Sequence, residues 1–318
     1  MSDKFKYTVC SRCMTYNHAS FIEDTLLGFV MQQTEFPIVF VVVDDASTDN
    51  TAEIIRKFVY ENFDLDDESV AFRKETESAH TIFARHNTNK NCFFAVVFLK
   101  ENHYSQRKSK HVYIAEWMDN SKYNALCEGD DYWIDPYKLK KQVEFMDNHP
   151  DYSMCFHAVR DLLPNGETQR NSRYEFDLID CPIEDFFKHD GAYAPTCSIL
   201  YREGALTPEP SFFKKTSVGD SPMILTMFLR GKVCFLNDIM ACYRENAAGS
   251  WSQRQKELSF QQIIKRHKKS RAYWHEVDRY TKGKYSQFVR KRKIHTWLSL
   301  GKSLYYFTIN SFKKLFKL

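Results

Sequence analysis

Apolar and polar positions alternate in blocks along the first 130 residues, and each block has the length of one structural element. Residues 7–14 are apolar and β-branched enough for a buried strand, and residues 38–43 form the unbroken run IVFVVV, typical of a parallel strand buried on both faces. Apolar side chains at helical spacing follow each run, at residues 22–31 and 54–59. The order strand, helix, strand, helix predicts parallel strands joined by right-handed crossovers.

Start signals for both helices are present in the sequence. Ser20 and Glu23 have the spacing of a capping box, and Asn50 with Glu53 predicts the cap of the second helix. Residues 60–92 are polar and poorly periodic. Further elements are expected as follows: a short strand at 70–73, strands at 93–99 and 123–127, and a short helix at 113–118. The predicted fold class is therefore α/β, a sheet with helices on both faces.

Polar loops follow the predicted strands, and two of these loops are acidic. Residues 44–50 read DDASTDN, and residues 128–131 read EGDD. In parallel sheets, ligands bind beyond the carboxyl ends of the strands. Clustered carboxylates repel one another, and they suit Mg²⁺ or Mn²⁺, which bridge to the phosphates of a substrate. The alternative is that these acids form solvated turns or helix caps.

Charge is distributed unevenly along a chain whose overall net charge is only +4. Residues 253–318 hold 18 Lys and Arg against 3 Asp and Glu, a net charge of +15, which leaves 27 against 38, a net charge of −11, for residues 1–252. An acidic body would repel a nucleoside diphosphate unless a divalent ion intervened. The basic tail favours an anionic partner, either a membrane or a nucleic acid.

Apolar runs are too short to cross a bilayer, and the first residues lack a signal-peptide pattern, so we expect a cytoplasmic protein. Nine cysteines then indicate reduced thiols. Cys10 and Cys13 form a C-x-x-C pair within a predicted strand, where residues three apart point to opposite faces. We therefore expect buried structural thiols rather than a disulfide or a zinc site.

Three segments together resemble the family 2 glycosyltransferases of GT-A fold, in particular bacterial enzymes of capsule, O-antigen and exopolysaccharide assembly. They are TYNHASFIEDTLLGFVMQQ, VVVDDASTDNTAEII and ALCEGDDYWIDPYKLKKQVEFMDNHPDYSMCFH. The resemblance covers residues 7–160 and continues more weakly to residue 252. It implies a nucleotide-sugar donor, a Mn²⁺ or Mg²⁺ cofactor, and transfer of a hexose, from UDP-hexose in our interpretation, to a glycan or lipid-linked acceptor.

The resemblance also implies roles for single residues of the donor site. Residues 100–106 resemble a variant of a further family segment. Donor-site roles are implied for these residues: Thr15, Tyr16 and Asn17 at the base, Asp44 and Asp45 at the uracil, Glu128 near the ribose, Asp130 on the metal and diphosphate, and Asp131 in support of the metal.

Residues 217–252 resemble the acceptor half of the same enzymes. Asp220 lies where the family's catalytic base is found, which implies an inverting displacement. A cap of the helix that starts near Pro222 is the alternative role for Asp220. Arg244 could pair with the diphosphate. Trp251 could stack on a sugar, although packing in the core is the commoner role of a Trp.

In the basic tail, apolar residues recur at helical spacing from Ile294 onward, beside the cationic run 290–293. Aromatic anchors with flanking cations predict that residues 286–318 lie on an anionic membrane surface, at the inner face of the cell membrane. The same stripe is also typical of a helix that packs on the body or on a second subunit, which allows a homo-oligomer. No nucleic-acid-binding module is found, so we predict no nucleic-acid partner.

These interpretations divide the chain into a GT-A domain at 1–252 and a basic helical region at 253–318. The GT-A domain comprises a nucleotide-sugar half at 1–135 and an acceptor half at 136–252.

Two rival functions stay open. A sugar-phosphate nucleotidyltransferase would need a Gly-rich phosphate loop, and none of the 10 glycines lies near the first strand. A catalytically degenerate sugar-nucleotide-binding protein would have lost its base.

Overall fold

The computed structural model describes residues 5–177, 180–216, 218–245 and 258–316, except for the side chains of 306 and 310–316. The chain divides into two compact units, each of which is described by itself. The first unit contains residues 1–180, 194–205 and 231–247. The second contains residues 181–193, 206–230 and 248–318. This division differs from the predicted boundary at 252, because segments on either side of that boundary pack together in the second unit.

One mixed sheet forms the first unit, with the strand order β3-β5-β6-β2-β1-β7-β11-β9-β12-β8, while β4 pairs with β5 and β10 with β9. The strands are β1 (Tyr7–Thr15), β2 (Ile38–Asp44), β3 (Phe63–Asp64), β4 (Phe72–Glu75), β5 (Ala79–His86), β6 (Cys92–Leu99), β7 (Ser121–Leu126), β8 (Tyr132–Trp133), β9 (Tyr152–Leu162), β10 (Thr168–Asn171), β11 (Leu200–Arg202) and β12 (Lys232–Arg244).

The centre of the sheet is parallel, as the apolar runs predict. β1 lies between β2 and β7, and β6 lies on the far side of β2, all in parallel register. Every residue of β2 is buried. The strands outside this core are mainly antiparallel, so the sheet continues in both directions beyond the predicted βαβα unit.

Helices cover both faces of this sheet. α1 (Ile22–Val30), α2 (Thr51–Asn62) and α5 (Lys138–Asn148) contribute to one core cluster, together with alternate residues of β2 such as Phe40. The other alternate residues, such as Val41, face a second cluster that includes Trp117 of α4 (Ala115–Asp119). A short helix, α3 (His103–Gln106), precedes α4. The predicted fold class is thereby confirmed.

Two predicted helix caps are wrong in detail. α1 begins at Ile22, and its cap position is occupied by Phe21 rather than by Ser20, without a side-chain cap hydrogen bond. Asn50 does occupy the cap position of α2, but its side chain makes no cap hydrogen bond. The carboxylate of Asp49 accepts from the Thr51 amide instead, at 3.0 Å.

The cysteines lie where the strand pattern predicts. All nine are buried and free. Cys13 belongs to one core cluster and Cys10 to the other, so the two side chains point to opposite faces of the sheet. Burial raises the pKa of both thiols, which keeps them protonated and inert.

The described part of the second unit is helical and has an aromatic interior. Its helices are α6 (Ile183–His189), α7 (Asp220–Arg230), α8 (Phe260–Tyr280) and α9 (Ser286–Phe316). Phe186 and Phe187 of α6 pack against Trp274 of α8, which is fully buried. Ser259 and Gln262 form a capping box at the start of α8. Among the helices that the structure describes, none is long and apolar enough to cross a bilayer.

Candidate active site

The polar loops after β1, β2 and β7 come together at the carboxyl edge of the parallel strands. Thr15, the last residue of β1, lies opposite Asp44, the last residue of β2. The amides of Cys127 and Gly129 then donate to carbonyls of β1, at 3.2 and 3.0 Å. The structure therefore gathers the predicted donor-site residues of the first unit into one place, which is where ligands bind to such sheets.

Residues 44–50 form what we call the first acidic loop, and hydrogen bonds join this loop to residues 15–19. Asn17 has a φ of +56°, and its side-chain oxygen accepts from the Thr48 amide at 2.8 Å, while its own amide donates to the Ser47 hydroxyl at 2.9 Å. The Ala19 amide donates to Asp49 at 3.1 Å. Asn17 therefore holds the two segments together, whereas the neighbouring Tyr16 side chain is 37% exposed.

Both adjacent aspartates of the first acidic loop are buried. Asp44 accepts hydrogen bonds from the hydroxyl and the amide of Ser47. Burial raises the pKa of Asp44, although these two bonds oppose the shift. Asp45 is only 2% exposed, and its carboxylate accepts from the amides of His103 and Tyr104 at 2.7 and 3.0 Å.

Lys110 completes the environment of Asp45 and was not singled out in the sequence. Its ammonium lies 2.8 Å from Asp45 Oδ2. With the two amides of α3, three donors meet a carboxylate that has about four lone-pair sites. Residues 100–106, which resemble a family segment, thus contact the first acidic loop directly. The side chain of Asp45 anchors this segment and has little remaining capacity for a base.

Residues 128–131, the second acidic loop, pass very close to β1 and the loop that follows it. A Cβ added at Gly129 would lie 2.6 Å from Thr15 Oγ1 and 2.9 Å from His18 Nδ1, so only glycine fits at this position. Glu128 accepts from the Met14 amide at 3.3 Å. The backbone geometry that brings the acids of this loop to the sheet edge therefore depends on Gly129.

The two aspartates of the second acidic loop have different surroundings. Asp131 is 2% exposed, and its Oδ1 accepts from the Arg244 amide at 2.9 Å. Burial, followed by the charge of Asp130, holds the pKa of Asp131 well above its usual range. Asp130 is half-buried, and among the described residues its carboxylate has neither a hydrogen-bond partner nor an ion-pair partner. Asp130 is thus the acid of this loop that is available to a ligand.

Arg244 fastens the second acidic loop to α1. Its guanidinium donates to the carbonyl of Asp130 at 2.7 Å and forms an ion pair with Asp24. The guanidinium carbon lies 5.0 Å from the ring centre of Phe21 and 4.6 Å from that of Tyr132. The predicted contact of Arg244 with a diphosphate would have to share the guanidinium with these partners.

The described residues of this site could supply only part of the coordination of a divalent ion. The described residues include no group of three or more His, Cys, Asp and Glu side chains that could hold a metal between them. Mg²⁺ and Mn²⁺ at phosphate-binding sites need only one or two carboxylates, since the phosphates and water complete the coordination. Asp130 meets that requirement, because its half-buried carboxylate has no partner in the part of the chain that the structure describes and lies beside the buried Asp131.

In the second unit, Asp220 is the first residue of α7 and is exposed. The helix cap falls at Gly219, whose carbonyl accepts from the Met223 amide at 3.1 Å. The next residue is held firmly: the Ser221 hydroxyl donates to Asp190 and lies 3.0 Å from the Tyr273 hydroxyl. This arrangement fixes the start of α7 and leaves Asp220 at its exposed end. Trp251 lies outside the described residues.

Comparison with known proteins finds a family model that matches the part of the chain containing the first acidic loop. Residues 14–77 match the model of the family described as glycosyl transferase family 2. That stretch contains the end of β1, α1, β2, the first acidic loop and α2. Two curated relatives are the uncharacterized proteins Rv1520 of Mycobacterium tuberculosis and Mb1547 of Mycobacterium bovis. Each is 29% identical over 248 residues, which is 75% of this chain and 59% of the relative.

Solved structures resemble the chain over nearly its whole length. Residues 1–349 of TarS from S. aureus superpose with a TM-score of 0.55 at 14% identity, covering 93% of this chain and 91% of TarS. The mannosyltransferase PcManGT from Pyrobaculum calidifontis, with GDP-Man and Mn²⁺, gives a TM-score of 0.50 at 13% identity, over 96% of this chain and 74% of PcManGT.

The chain has the GT-A glycosyltransferase fold. The family match covers residues 14–77, and the likeness to the solved structures extends over nearly the whole chain. TarS was also solved with UDP-GlcNAc, at a TM-score of 0.54 and 14% identity over the same shares of both chains.

Proposed function

We propose that this protein is a metal-dependent glycosyltransferase that moves a hexose from a UDP-sugar to a hydroxyl of a glycan or lipid-linked acceptor. Assembly of a capsule, O-antigen or exopolysaccharide is the setting that we infer. The observation that carries the proposal is the second acidic loop, where the carboxylate of Asp130, at the carboxyl edge of the parallel strands, has no partner among the residues that the structure describes. Complexes of TarS with UDP-GlcNAc and of PcManGT with GDP-Man and Mn²⁺ support this class of donor.

In the proposed donor site, the exposed ring of Tyr16 stacks on the base and Glu128 lies near the ribose. Asp130 would hold a divalent ion for the diphosphate, and Asp131 would support Asp130 from the interior. Thr15, Asn17, Asp44 and Asp45 hold the surrounding loops in place. When bound, the divalent ion supplies positive charge to the departing diphosphate.

Asp220 is the proposed general base. It takes the proton from the acceptor hydroxyl as that oxygen attacks the anomeric carbon of the donor. The new carbon–oxygen bond forms as the bond from that carbon to the diphosphate oxygen breaks, so the configuration inverts in one displacement. The nucleoside diphosphate leaves with the electron pair, and no covalent intermediate with the protein is needed.

For the C-terminal region, we propose peripheral binding to an anionic membrane surface through residues 286–318. Exposed aromatic and apolar side chains of α9, including Trp297 and Tyr305, support this proposal, together with the cationic run 290–293. Such binding would bring the donor site to a lipid-linked acceptor at the inner face of the membrane. A second copy of the chain on the same helix face is the alternative occupant.

The donor is tested by thermal unfolding with a panel of UDP-hexoses and GDP-mannose, each with Mn²⁺ and with a chelator. A bound donor stabilises the fold by about 2.7 kcal/mol when its concentration is about 100 times the Kd. We expect one UDP-hexose to raise the Tm only when Mn²⁺ is present. If no sugar nucleotide shifts the Tm, the proposed donor site is wrong.

The proposed base is tested with Asp220→Asn. We expect turnover to fall by at least about 100-fold, the lower range for loss of a general base, while donor affinity stays within about twofold. Release of UDP from the donor by the unaltered protein separates a transferase from a degenerate binding protein. Full turnover by Asp220→Asn would remove Asp220 from the mechanism. Asp66→Asn is the matched control, because Asp66 is exposed and has no interaction among the described residues.

A further inference from the structure

Helices α8 and α9 pack against each other and leave a cavity between them. The ring of His267 lies 4.7 Å from that of Trp297, and the hydroxyls of Ser270 and Thr296 are 3.4 Å apart, so the two helices are held in register. The cavity has a volume of about 330 Å³. That size is at the lower end for small-ligand sites.

Three of the five residues that line this cavity are cationic. Four lining residues come from α8, namely Lys268, Arg271, Ala272 and His275, and Lys293 comes from α9. Residues at this spacing share one face of a helix. Like charges on one face destabilise a helix by about 0.2–0.5 kcal/mol per pair. Ala272 has a small side chain among these longer ones, which leaves room for an occupant.

Other cations of the same two helices have partners within the protein. Arg279 forms an ion pair with Glu276, and Arg292 forms one with Asp190 at 2.6 Å. Within the described part of the chain, Lys268, Arg271 and Lys293 have no carboxylate at ion-pair distance. The cations that line the cavity are therefore available to an external anion, whereas Arg279 and Arg292 hold the unit together.

We propose that this cavity binds a phosphate group. A guanidinium presents two parallel N–H groups that match phosphate oxygens, and ammonium groups contribute compact positive charges beside them. Arg271 is supported for this role, since its guanidinium carbon lies 4.9 Å from the ring centre of Trp297. The proposal goes beyond the donor site and beyond the membrane contact of residues 286–318, because most of the lining residues lie on α8.

Two sources could supply the phosphate: the headgroup of an anionic phospholipid or a soluble phosphate ester. Trp297 is 53% exposed and Leu298 is 63% exposed, and both lie on α9 close to Lys293 in sequence. Exposed aromatic and apolar side chains near cations are typical of a protein surface that meets a bilayer interface. Vesicles are therefore the first probe, and soluble phosphate is the second.

The test uses the full-length protein and two double variants with the same change in charge. Lys268→Gln with Arg271→Gln alters the cavity, whereas Lys265→Gln with Lys269→Gln alters exposed cations of α8 outside the lining. One arm measures binding to phosphatidylcholine vesicles with and without phosphatidylglycerol at fixed salt. The other arm measures binding of inorganic phosphate and glycerol phosphate by calorimetry.

We expect the cavity variant to lose about 30-fold in affinity in at least one arm, because two of the three lining cations can no longer make charge-assisted hydrogen bonds to the phosphate. The control variant should lose no more than about threefold in that arm. Loss in the vesicle arm only would assign the phosphate to a lipid headgroup, and loss in the soluble arm would assign it to a phosphate ester. Equal losses in both variants, or no binding of either probe by the unaltered protein, would overturn the proposal.

Discussion

The first and second acidic loops follow β2 and β7, which flank β1 in the parallel centre of the sheet, and they differ in what surrounds their carboxylates. In the first loop, Asp44, Asp45 and Asp49 each accept hydrogen bonds from the protein itself. In the second loop, Asp131 is satisfied in the interior, while Asp130 has no partner among the described residues. Two similar runs of acids therefore serve different purposes.

In our proposal, this difference separates the acids that hold the loops in place from the acid that binds the ligand. A buried carboxylate with three donors, such as Asp45, stabilises a segment distant in sequence and has little capacity for a ligand. A half-buried carboxylate without a donor has capacity for a cation. Neither loop could take the place of the other, because their carboxylates have different hydrogen-bond partners.

The largest effect is expected at Asp130. Asp130→Asn should weaken Mn²⁺-dependent donor binding by at least about 100-fold, near 2.7 kcal/mol, because it removes the charged ligand of the metal–diphosphate pair. The free energy of unfolding should change by less than about 0.5 kcal/mol, since the side chain has no partner to lose within the described ranges of the chain. Calorimetric titration of the donor with Mn²⁺ and with a chelator measures the first quantity, and urea unfolding measures the second.

An Asp130→Asn protein that keeps its donor affinity, with and without chelator, would show that the second acidic loop is a turn like the first. A large loss of stability in the same variant would also contradict the contrast. Asp66→Asn provides the baseline for removing one exposed carboxylate of the first unit.

Asp45 should behave in the opposite way. Asp45→Asn should lower the free energy of unfolding by about 2 kcal/mol, because hydrogen bonds to a charged group contribute about 1.5–3 kcal/mol and the Lys110 ammonium loses its counter-ion. Urea unfolding of the variant, beside Asp66→Asn, measures this loss. Lys110→Met should destabilise less, and the double variant should lose less than the sum of the two single losses.

Additive losses at Asp45 and Lys110 would mean that the pair is not coupled in solution. If Asp45→Asn instead left stability unchanged and abolished donor binding, Asp45 would be a ligand for the base, as the resemblance implies. The segment at residues 100–110 would then be held by other contacts.

Local sequence predicts the central strands well, because an unbroken run of apolar side chains indicates a strand that is buried on both faces. Residues 38–43 are apolar at every position, which is possible only between two covered faces, and the structure places both core clusters against them. β5 was missed because its apolar residues stand among polar ones, and its antiparallel pairing with β6 depends on a partner distant in sequence.

The roles of the acids were harder to predict, for the same reason. The donors that occupy Asp45 lie 58 to 65 residues away in the chain, at His103, Tyr104 and Lys110. Gly129 offered a signal, since a glycine between acids indicates a close backbone approach, and the structure explains it through Thr15 and His18. Motifs predicted the location of the site, whereas the hydrogen-bond partners of each carboxylate required the three-dimensional structure.

The smallest effect concerns the pH dependence of stability. In the first acidic loop, the pKa values of two carboxylates are shifted in opposite directions. Burial raises the pKa of Asp49, but hydrogen bonds from Thr51 and Ala19 outweigh it, and the pKa of Asp49 is lowered. Its contribution to stability is therefore present above the unfolded pKa of about 3.9 and is lost as the pH falls through the folded value. Burial raises the pKa of Asp44 above its unfolded value. The contribution of Asp44 to the free energy of unfolding is therefore present at low pH and is lost as the pH rises through its folded pKa.

Asp49→Asn and Asp44→Asn should therefore give opposite slopes. The stability of the unaltered protein minus that of Asp49→Asn should increase with pH below about 4, whereas the same difference for Asp44→Asn should decrease with pH above about 4. Urea midpoints measured across the acidic range at fixed salt give both slopes. The Asp49 effect is small because its side chain is exposed and salt screens it. Slopes of the same sign would show that the hydrogen bonds of the first loop do not hold its carboxylates as the structure describes, and the contrast between the two loops would lose its basis.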